Sequence, residues 1–153
     1  MTPPRSALTY ALTLLGRRDY STFEIEEKLK GKGYPLEEIS TAVGRLREWN
    51  YLDDKKYIRR QIDKYWTAKK SRTYIRQRLK LAGLEPILID ESLNRWYSPA
   101  QEREVIRYWW EKCFNAQTAA PEKKLIMRWA RRLYAAGFPS EEIRPYLNND
   151  QES

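Results

Sequence analysis

The sequence predicts an all-α protein made of three tandem three-helix repeats, with about nine helices. The main observation is a block that occurs three times and ends at Gly33, Gly83 and Gly137, which are 50 and then 54 residues apart. In each block an apolar residue lies eight positions before the glycine, a leucine lies four before it, and an isoleucine lies six after it. A period in this range is typical of repeat proteins, whose units bury their apolar faces partly against their neighbours.

The second observation is that apolar residues recur at helical spacing along the chain. No alternating strand pattern extends over five or more residues. The predicted repeats are residues 1–50, 51–97 and 98–153, and a unit of about 50 residues is only marginally stable alone. An extended binding surface is therefore expected, and not a catalytic pocket.

The first repeat is predicted to contain three short helices. Ser21 and Glu24 fit a capping box, in which each side chain accepts a hydrogen bond from a free backbone N–H at the helix start. Gly31 and Gly33 are expected to end this helix in the left-handed conformation, and Pro35 suits the first turn of the next. The predicted core-facing residues are Leu8, Ala11, Leu12, Leu15, Ile39, Val43 and Leu46.

The second repeat follows the same plan. Asp53 is predicted to cap a helix over residues 54–69. A second helix over residues 72–82 ends at Gly83, and Pro86 begins the third. The predicted core-facing residues are Ile58, Ile62, Tyr65, Trp66, Ile75, Leu79, Ile89 and Leu93.

The third repeat begins near Ser98 and Pro99. Its first helix is followed by a predicted loop over residues 115–120, and Pro121 leads into the next helix. Gly137 is expected to end that helix, and the polar tail 148–153 is expected to fray. The predicted core-facing residues are Val105, Ile106, Trp109, Trp110, Cys113, Phe114, Leu125, Ile126, Trp129, Leu133, Ile143 and Leu147.

Composition excludes several kinds of chemistry. The chain has no histidine and one cysteine, so it contains no Ser-His-Asp or Cys-His pair and no cysteine-rich zinc site. We therefore expect a protein that is not an enzyme and needs no cofactor or metal. The first residues lack a signal-peptide pattern and no apolar run is long enough to span a membrane, so we expect a cytoplasmic protein.

Positive charge is concentrated in the middle repeat. The net charge is +1 over residues 1–50, +6 over 51–97 and +1 over 98–153, and residues 55–80 contain eleven basic residues and one acid, Asp63. Such a segment favours phosphates or an acidic protein surface as partners.

On each of the first two helices of this repeat, three cations recur every four residues and so share one face. A polyanionic partner would relieve their mutual repulsion, whereas the alternative interpretation is a solvated surface. The candidate binding residues are Lys56, Arg59, Arg60, Lys64, Lys69, Lys70, Arg72, Tyr74, Arg76 and Lys80.

Aromatic side chains alternate with these charges. Tyr57 and Trp66 are expected in the core, while Tyr74 fits either the core or a stacking contact with a base or a protein groove. Trp109 and Trp110 are adjacent and point about 100° apart on a helix, so one of them is expected to be partly exposed.

Two other patterns are assigned to structure and not to chemistry. Adjacent carboxylates at Asp53 and Asp54 do not converge on one point, so they are interpreted as helix caps and not as metal ligands. The segment Gly31-Lys32-Gly33 lacks the spacing of a phosphate-binding loop and a preceding strand, so it is interpreted as a helix end.

Four segments, in order, resemble a known family. They are RDYS at 18–21 leading into Glu24 and Leu29, YLDD at 51–54 followed by Tyr57, IRQRL at 75–79 with Gly83, and RW at 128–129 followed by Gly137, Phe138 and Ile143. These segments are similar to the signature segments of the RecX family, and they extend over nearly the whole chain.

The resemblance implies a fold and a function. RecX-like proteins are small regulators of the RecA recombinase, built from three three-helix units that form an elongated, curved body. They bind the RecA–DNA filament, lie in its groove and bridge neighbouring subunits. In this way they inhibit ATP hydrolysis, strand exchange and coprotease activity, and limit filament growth. The expected partners are RecA and single- or double-stranded DNA contacted through the filament, and the expected state is a monomer.

Two alternatives remain open. Helix pairs joined by glycine turns also resemble helix-turn-helix units, which favours a sequence-nonspecific DNA-binding module. An enzyme is the third hypothesis, although no cluster of catalytic residue types supports it.

Overall fold

The computed structural model describes residues 5–114 and 120–148. Within these residues the chain forms nine α-helices and no strand, which confirms the predicted all-α class. The helices are α1 (Ala7–Leu15), α2 (Thr22–Gly31), α3 (Leu36–Glu48), α4 (Asp54–Thr67), α5 (Arg72–Leu81), α6 (Pro86–Trp96), α7 (Pro99–Phe114), α8 (Lys123–Ala135) and α9 (Ser140–Leu147).

The chain divides into two compact units. Unit 1 comprises Met1–Gln61 and Arg78–Ile89, and unit 2 comprises Ile62–Gln77 and Asp90–Ser153. The three repeat boundaries stay a prediction. Most of the predicted loop 115–120 and of the tail 148–153 lies outside the described residues.

The core of unit 1 is formed where the first three helices pack together. Ile25 and Leu29 on α2 and Leu46 on α3 have no exposed surface. They pack with Ala7 and Ala11 of α1, whose small side chains allow close approach of that helix. The three leucines predicted to face the core from α1 are partly buried against this cluster.

In unit 2 the largest fully buried side chain is Tyr97, which follows α6. Ile106 on α7 and Ile143 on α9 are also fully buried. The Trp110 ring on α7 lies 5.1 Å from Trp129 on α8 and 5.0 Å from Tyr146 on α9, measured between ring centroids. Aromatic packing thus joins the last three helices.

Several helix starts follow the predicted chemistry. The Ser21 and Glu24 side chains form the predicted capping box at the start of α2. Asp53 Oδ1 accepts hydrogen bonds from the backbone N–H groups of Lys55 and Lys56 at the start of α4, at 3.1 and 3.2 Å. These local signals were readable because a cap needs only residues close in sequence.

Ser21 also makes a contact that local sequence does not reveal. Its Oγ donates a 2.6 Å hydrogen bond to the carbonyl of Ala82, which lies 61 residues away and immediately before Gly83. The next residue, Thr22, donates its backbone N–H to Asp54 Oδ1 at 2.9 Å. We call this pair of contacts a serine junction.

Unit 2 contains a second serine junction of the same design. Ser71 Oγ donates a 2.7 Å hydrogen bond to the carbonyl of Ala136, which precedes Gly137. The backbone N–H of Arg72 donates to Glu102 Oε2 at 2.7 Å. A serine donor, its acceptor carbonyl, a backbone N–H donor and its acceptor carboxylate thus recur about 50 residues further along the chain. This recurrence is structural support for the periodicity seen in the sequence.

The periodic glycines are needed at these junctions. Gly83 has a φ of +79°, and a Cβ at this position would overlap the side chain of Phe23. Gly137 has a φ of +92°, and its Cβ would lie 2.8 Å from Ser71 Oγ. Gly31 is instead the last residue of α2, so the prediction that it adopts the left-handed conformation was wrong, and of these two glycines Gly33 alone has this role.

Helix α4 ends two residues earlier than predicted because Lys69 adopts a left-handed φ of 61°. The N–H of Lys69 bonds to the carbonyl of Trp66, and that of Lys70 bonds to the carbonyl of Tyr65. This is a Schellman ending, in which glycine is the usual left-handed residue. A lysine there gave no sequence signal for a helix end.

Candidate anion-binding surfaces

Unit 1 contains four of the predicted binding residues, Lys56, Arg59, Arg60 and Lys80, and all are exposed. Arg60 Nε lies 2.8 Å from Asp19 Oδ2, so this arginine already has an anionic partner. An exposed ion pair of this kind contributes only ~0–1 kcal/mol to stability, but it reduces the positive charge that Arg60 offers to a ligand. The pairing was missed because the two residues are 41 positions apart.

Unit 2 contains the other predicted binding residues, and two of its arginines are engaged inside the protein. Arg76 Nε lies 3.0 Å from Asp90 Oδ1. Arg72 donates from Nε to the carbonyl of Tyr97 at 2.8 Å and from Nη2 to Asn94 Oδ1 at 2.7 Å. Arg72 therefore joins α5 to the end of α6, and the cationic face predicted on α5 is less free to bind a partner than its sequence indicates.

Glu102 is a charged group that the sequence did not single out. It is buried in unit 2, and its carboxylate accepts the hydrogen bond from the Arg72 backbone N–H. Burial raises the pKa of Glu102 above its ordinary value, although the hydrogen bond and the positive charge of Arg72 act in the opposite direction. Ionised Glu102 therefore loses solvation free energy, and the interactions with Arg72 offset part of this loss.

The segment between α4 and α5 is held by a second buried group. The Tyr97 hydroxyl donates a 2.7 Å hydrogen bond to the carbonyl of Lys70, and burial raises the pKa of Tyr97. Trp109 on α7 donates from Nε1 to the carbonyl of Lys69 at 3.0 Å. These bonds fix the backbone of two lysines, so their side chains start from a defined position.

These lysines line a cleft of about 730 Å³ in unit 2, which we call the basic cleft. Four of its sixteen described lining residues are cations and none is an acid. Aromatic rings of Tyr74, Trp109 and Trp129 also line it. The cations are Lys69, Lys70, Lys112 and Arg132.

Two of these cations lie over aromatic rings of the cleft. Lys112 Nζ is 5.2 Å from the ring centroid of Trp109, and Lys70 Nζ is 5.1 Å from that of Tyr74. Cation–π contacts at this distance are favourable but weak at exposed sites, at about 0.5–1 kcal/mol. An anionic ligand can therefore bind these ammonium groups with little loss of free energy from the broken cation–π contacts.

The buried face of Trp129 has an unusual feature. Its ring packs against Trp110 and Phe114, but its indole N–H is buried without a hydrogen-bond partner among the described residues. An unpaired buried donor costs about 1–3 kcal/mol.

The aromatic predictions had mixed outcomes. Tyr57 is buried, which confirms that expectation, whereas Trp66 and Tyr74 are half-buried. Trp109 and Trp110 are both half-buried, and they point to different places, since Trp109 lines the cleft and Trp110 packs in the aromatic core.

Cys113 was expected in the core, and this prediction was wrong because the residue is exposed. It lies one helical turn after Trp109, on the face of α7 that lines the basic cleft. The apolar periodicity of α7 continued through this position, so the sequence alone suggested burial.

Lys112 and Arg132 were missed as binding residues. They belong to the third predicted repeat, whose net charge is only +1, so composition did not select them. Only the folding of α7 and α8 brings them beside Lys69 and Lys70.

The acid pair Asp53 and Asp54 has structural roles, of which only the cap by Asp53 was predicted. Asp53 caps α4, and Asp54 accepts the Thr22 N–H of the serine junction. Among the described residues, no three Cys, Asp or Glu side chains are grouped as a metal ligand set. No helix in this part of the chain has the length and apolar character that a membrane span requires.

Comparisons with known proteins agree with the resemblance in the sequence. The model of the first three-helix domain of RecX matches residues 7–46. The regulatory protein RecX of Chlorobaculum tepidum is 37% identical over 143 residues, covering 91% of this chain and 84% of that protein. The protein of the same name from Vibrio vulnificus is 31% identical, covering 97% and 96%.

Solved structures give the same architecture. The crystal structure of RecX from Lactobacillus salivarius superposes with a TM-score of 0.79 at 19% identity, covering 94% of this chain and 93% of that one. Another crystal structure of regulatory protein RecX gives 0.75 at 23% identity, covering 94% and 71%. At these identities the structures establish the fold, and the sequence relatives establish the family. The chain belongs to the RecX family.

Proposed function

We propose that this protein is a non-enzymatic regulator that binds the RecA–DNA filament and restrains its cycle. It would lie in the filament groove, bridge neighbouring RecA subunits, and inhibit ATP hydrolysis, strand exchange and coprotease activity. The protein would act in the cytoplasm, where RecA acts on the chromosome. It would contact DNA through the filament.

The observation that carries the proposal is similarity along the whole chain. The relative from Vibrio vulnificus matches over 97% of this chain and 96% of its own length, so no repeat is left without a counterpart. A regulator that bridges subunits needs all of its repeats, because each contact surface is spread along the repeat array.

Exposed lysines without ion-pair partners supply the charge for such a contact. Lys56 and Lys64 lie two turns apart on α4, and Lys80 is exposed at the end of α5. None of these three is in an ion pair within the described residues, unlike Arg60 and Arg76. A filament that displays phosphates and carboxylates would attract them.

The test is the DNA-dependent ATPase activity of RecA. The unmodified protein is expected to inhibit it at substoichiometric to equimolar amounts. Lys56→Glu with Lys64→Glu is expected to raise the concentration for half-inhibition by about tenfold, because two charge reversals at an interface with an anionic partner weaken binding strongly.

The matched control is Lys123→Glu with Lys124→Glu, which makes the same change in net charge on exposed lysines of α8. It should inhibit nearly as well as the unmodified protein. Equal weakening by both pairs would refute a specific role for α4, and no inhibition by the unmodified protein would refute the proposed function.

A second candidate is a sequence-nonspecific DNA-binding module, which the net charge of +8 favours. A direct DNA binder should lose affinity steeply with salt and should not need RecA. A filament binder should prefer RecA-coated strands to bare ones. Measuring both affinities at physiological salt separates the two.

A further inference from the structure

We propose that the basic cleft of unit 2 is a nucleotide-binding site. The four lining cations, Lys69, Lys70, Lys112 and Arg132, would bind the phosphate groups, and the base would stack on Trp109. The nucleotide is either a free one or one unit of a single strand, since both offer the same chemistry. This site goes beyond the proposed regulation of RecA and does not depend on it, because it is formed by the chain alone.

The charge of the cleft selects an anion. Its four cations face no acidic residue among the described residues that line it, and none of them is in an ion pair within that part of the chain. The predicted binding residues Arg60 and Arg76 differ in this respect because each has a carboxylate partner. An unneutralised group of cations in a concave site attracts a multiply charged ligand, such as a phosphate chain.

The rings of the cleft select a flat ligand. Trp109 is held by its hydrogen bond to the Lys69 carbonyl and by an edge contact with Tyr108 at 5.2 Å. Tyr74 is held by an edge contact with Tyr65 at 5.3 Å. Fixed rings beside cations are the combination that binds nucleotides, because the bases stack and the phosphates meet the cations.

The two cation–π contacts explain how the site is stabilised before a ligand binds. Lys112 lies over Trp109, and Lys70 lies over Tyr74. When a nucleotide binds, its phosphates form ion pairs with the lysine ammonium groups. Its base then stacks on the ring face that an ammonium group had covered. The contacts within the protein are thus replaced one by one by contacts with the ligand.

The cleft also has the size and polar groups that a nucleotide requires. Its volume of about 730 Å³ falls in the range of small-ligand sites. The exposed amide of Gln77 lines it and can both donate to and accept from the edge of a base. An acidic peptide would use the cations but would leave the rings and this amide without a matching group.

A left-handed lysine marks the same site. Lys69 has a φ of 61° at a position where glycine is the usual residue, and it lines the cleft. A residue other than glycine in this conformation costs stability, which makes the Lys69 side chain a candidate for a functional role. Lys69→Gly keeps the carbonyl that Trp109 binds, so this variant should melt at an equal or higher temperature while binding nucleotide less tightly.

The experiment uses the full chain without RecA and follows alkylation of Cys113, the single cysteine, which is exposed and lines the cleft. The probes are ATP, an eight-residue oligothymidylate, tripolyphosphate and a glutamate-rich peptide of matched charge. ATP or the oligonucleotide should slow alkylation, and tripolyphosphate and the peptide should do so only at higher concentration. Protection by the oligonucleotide alone would assign the site to a strand, and protection by ATP would assign it to free nucleotides as well.

Affinities from calorimetry or anisotropy test the residues. Lys112→Gln with Arg132→Gln should weaken nucleotide binding about tenfold or more and should lower the salt slope for the single-stranded oligonucleotide by about 1.4. The matched control is Lys124→Gln with Arg131→Gln, which removes the same charge from exposed residues of α8 that do not line the cleft. Trp109→Phe, which keeps an aromatic ring, should bind better than Trp109→Leu.

Three outcomes would overturn the site. They are equal weakening by the two charge pairs, equal protection by the peptide or tripolyphosphate, and no protection of Cys113 by any nucleotide. The ATPase test of the proposed function uses other residues and another partner, so the two ideas can fail separately.

Discussion

Single residues in this protein are constrained by contacts that are distant in sequence. Arg72 illustrates this, because the spacing of cations on α5 placed it on a binding face, whereas the fold uses its guanidinium to bond Tyr97 and Asn94. The spacing of charges shows which residues share a helix face, but it does not show which acid or carbonyl another helix brings to them. The lysines outside ion pairs are therefore better candidates for binding than Arg60, Arg72 and Arg76, whose guanidinium groups are engaged within the protein.

Gly83 should tolerate no side chain, in contrast to Gly44. Gly83→Ala places a Cβ against Phe23 at a positive φ, so it should destabilise the protein by about 2 kcal/mol or more. Gly44 lies inside α3, and a Cβ added there would meet no atom of another element within 4 Å, so Gly44→Ala should stabilise by about 0.5–1 kcal/mol. Urea unfolding of both variants measures the difference, and equal effects would contradict the close approach at Gly83.

Glu102 should make stability depend on pH in a predictable direction. Because its pKa is raised on folding, its contribution is most favourable at pH values below its unfolded pKa, and it is lost as the pH rises through the higher folded pKa. Glu102→Gln cannot ionise and can still accept the bond from the Arg72 N–H. Relative to this variant, the unmodified protein should lose stability as the pH rises through the ordinary glutamate pKa and then through the raised pKa of folded Glu102.

Thermal melts across this pH range measure the effect. Glu102→Ala is the comparison that removes the acceptor, and it should destabilise at all pH values because the Arg72 N–H loses its partner. A pH profile identical in the unmodified protein and Glu102→Gln would show that the carboxyl is not perturbed.

At the scale of helices, the serine junctions link the starts of α2 and α5 to distant helix ends. Ser71 both caps α5, by accepting from the Tyr74 N–H at 3.0 Å, and donates to the Ala136 carbonyl. Its hydroxyl therefore serves two contacts, of which only the cap could be expected from the sequence. Periodicity predicted the helices because it depends on residues that are close in sequence. The carbonyls of Ala82 and Ala136 could not be predicted as acceptors because they lie far from the serines in sequence.

Replacing this serine tests the double role. Ser71→Ala and Ser21→Ala should each destabilise by about 1–3 kcal/mol, because each loses a cap and leaves a carbonyl without its donor. Ser6 is the control, since it caps α1 at an exposed position and, among the described residues, donates to Thr9 alone. Ser6→Ala should cost about 0.5–1 kcal/mol, and chemical denaturation compares the three. Equal losses would mean that the distant carbonyl adds nothing.

For the whole molecule, local signals predicted much more of the fold than of the binding surfaces. Three glycine-ended blocks and their helical spacing were enough to predict the nine helices of the described residues. Charge counting selected Lys69 and Lys70, and the alternation of rings with cations selected Tyr74. All three line the basic cleft, but Lys112 and Arg132 were missed. A concave site forms from several helices, so its members share no sequence window in which composition could identify them.

The predicted middle repeat, residues 51–97, contains both a donor serine and an acceptor carbonyl. Ser71 donates its hydroxyl to a carbonyl of the following predicted repeat, and the carbonyl of Ala82 accepts a hydroxyl from the preceding one. A gene that duplicated this segment would encode a longer chain in which each new donor already has a matching acceptor. Growth by copying is thus open to this architecture without the invention of any additional interface chemistry.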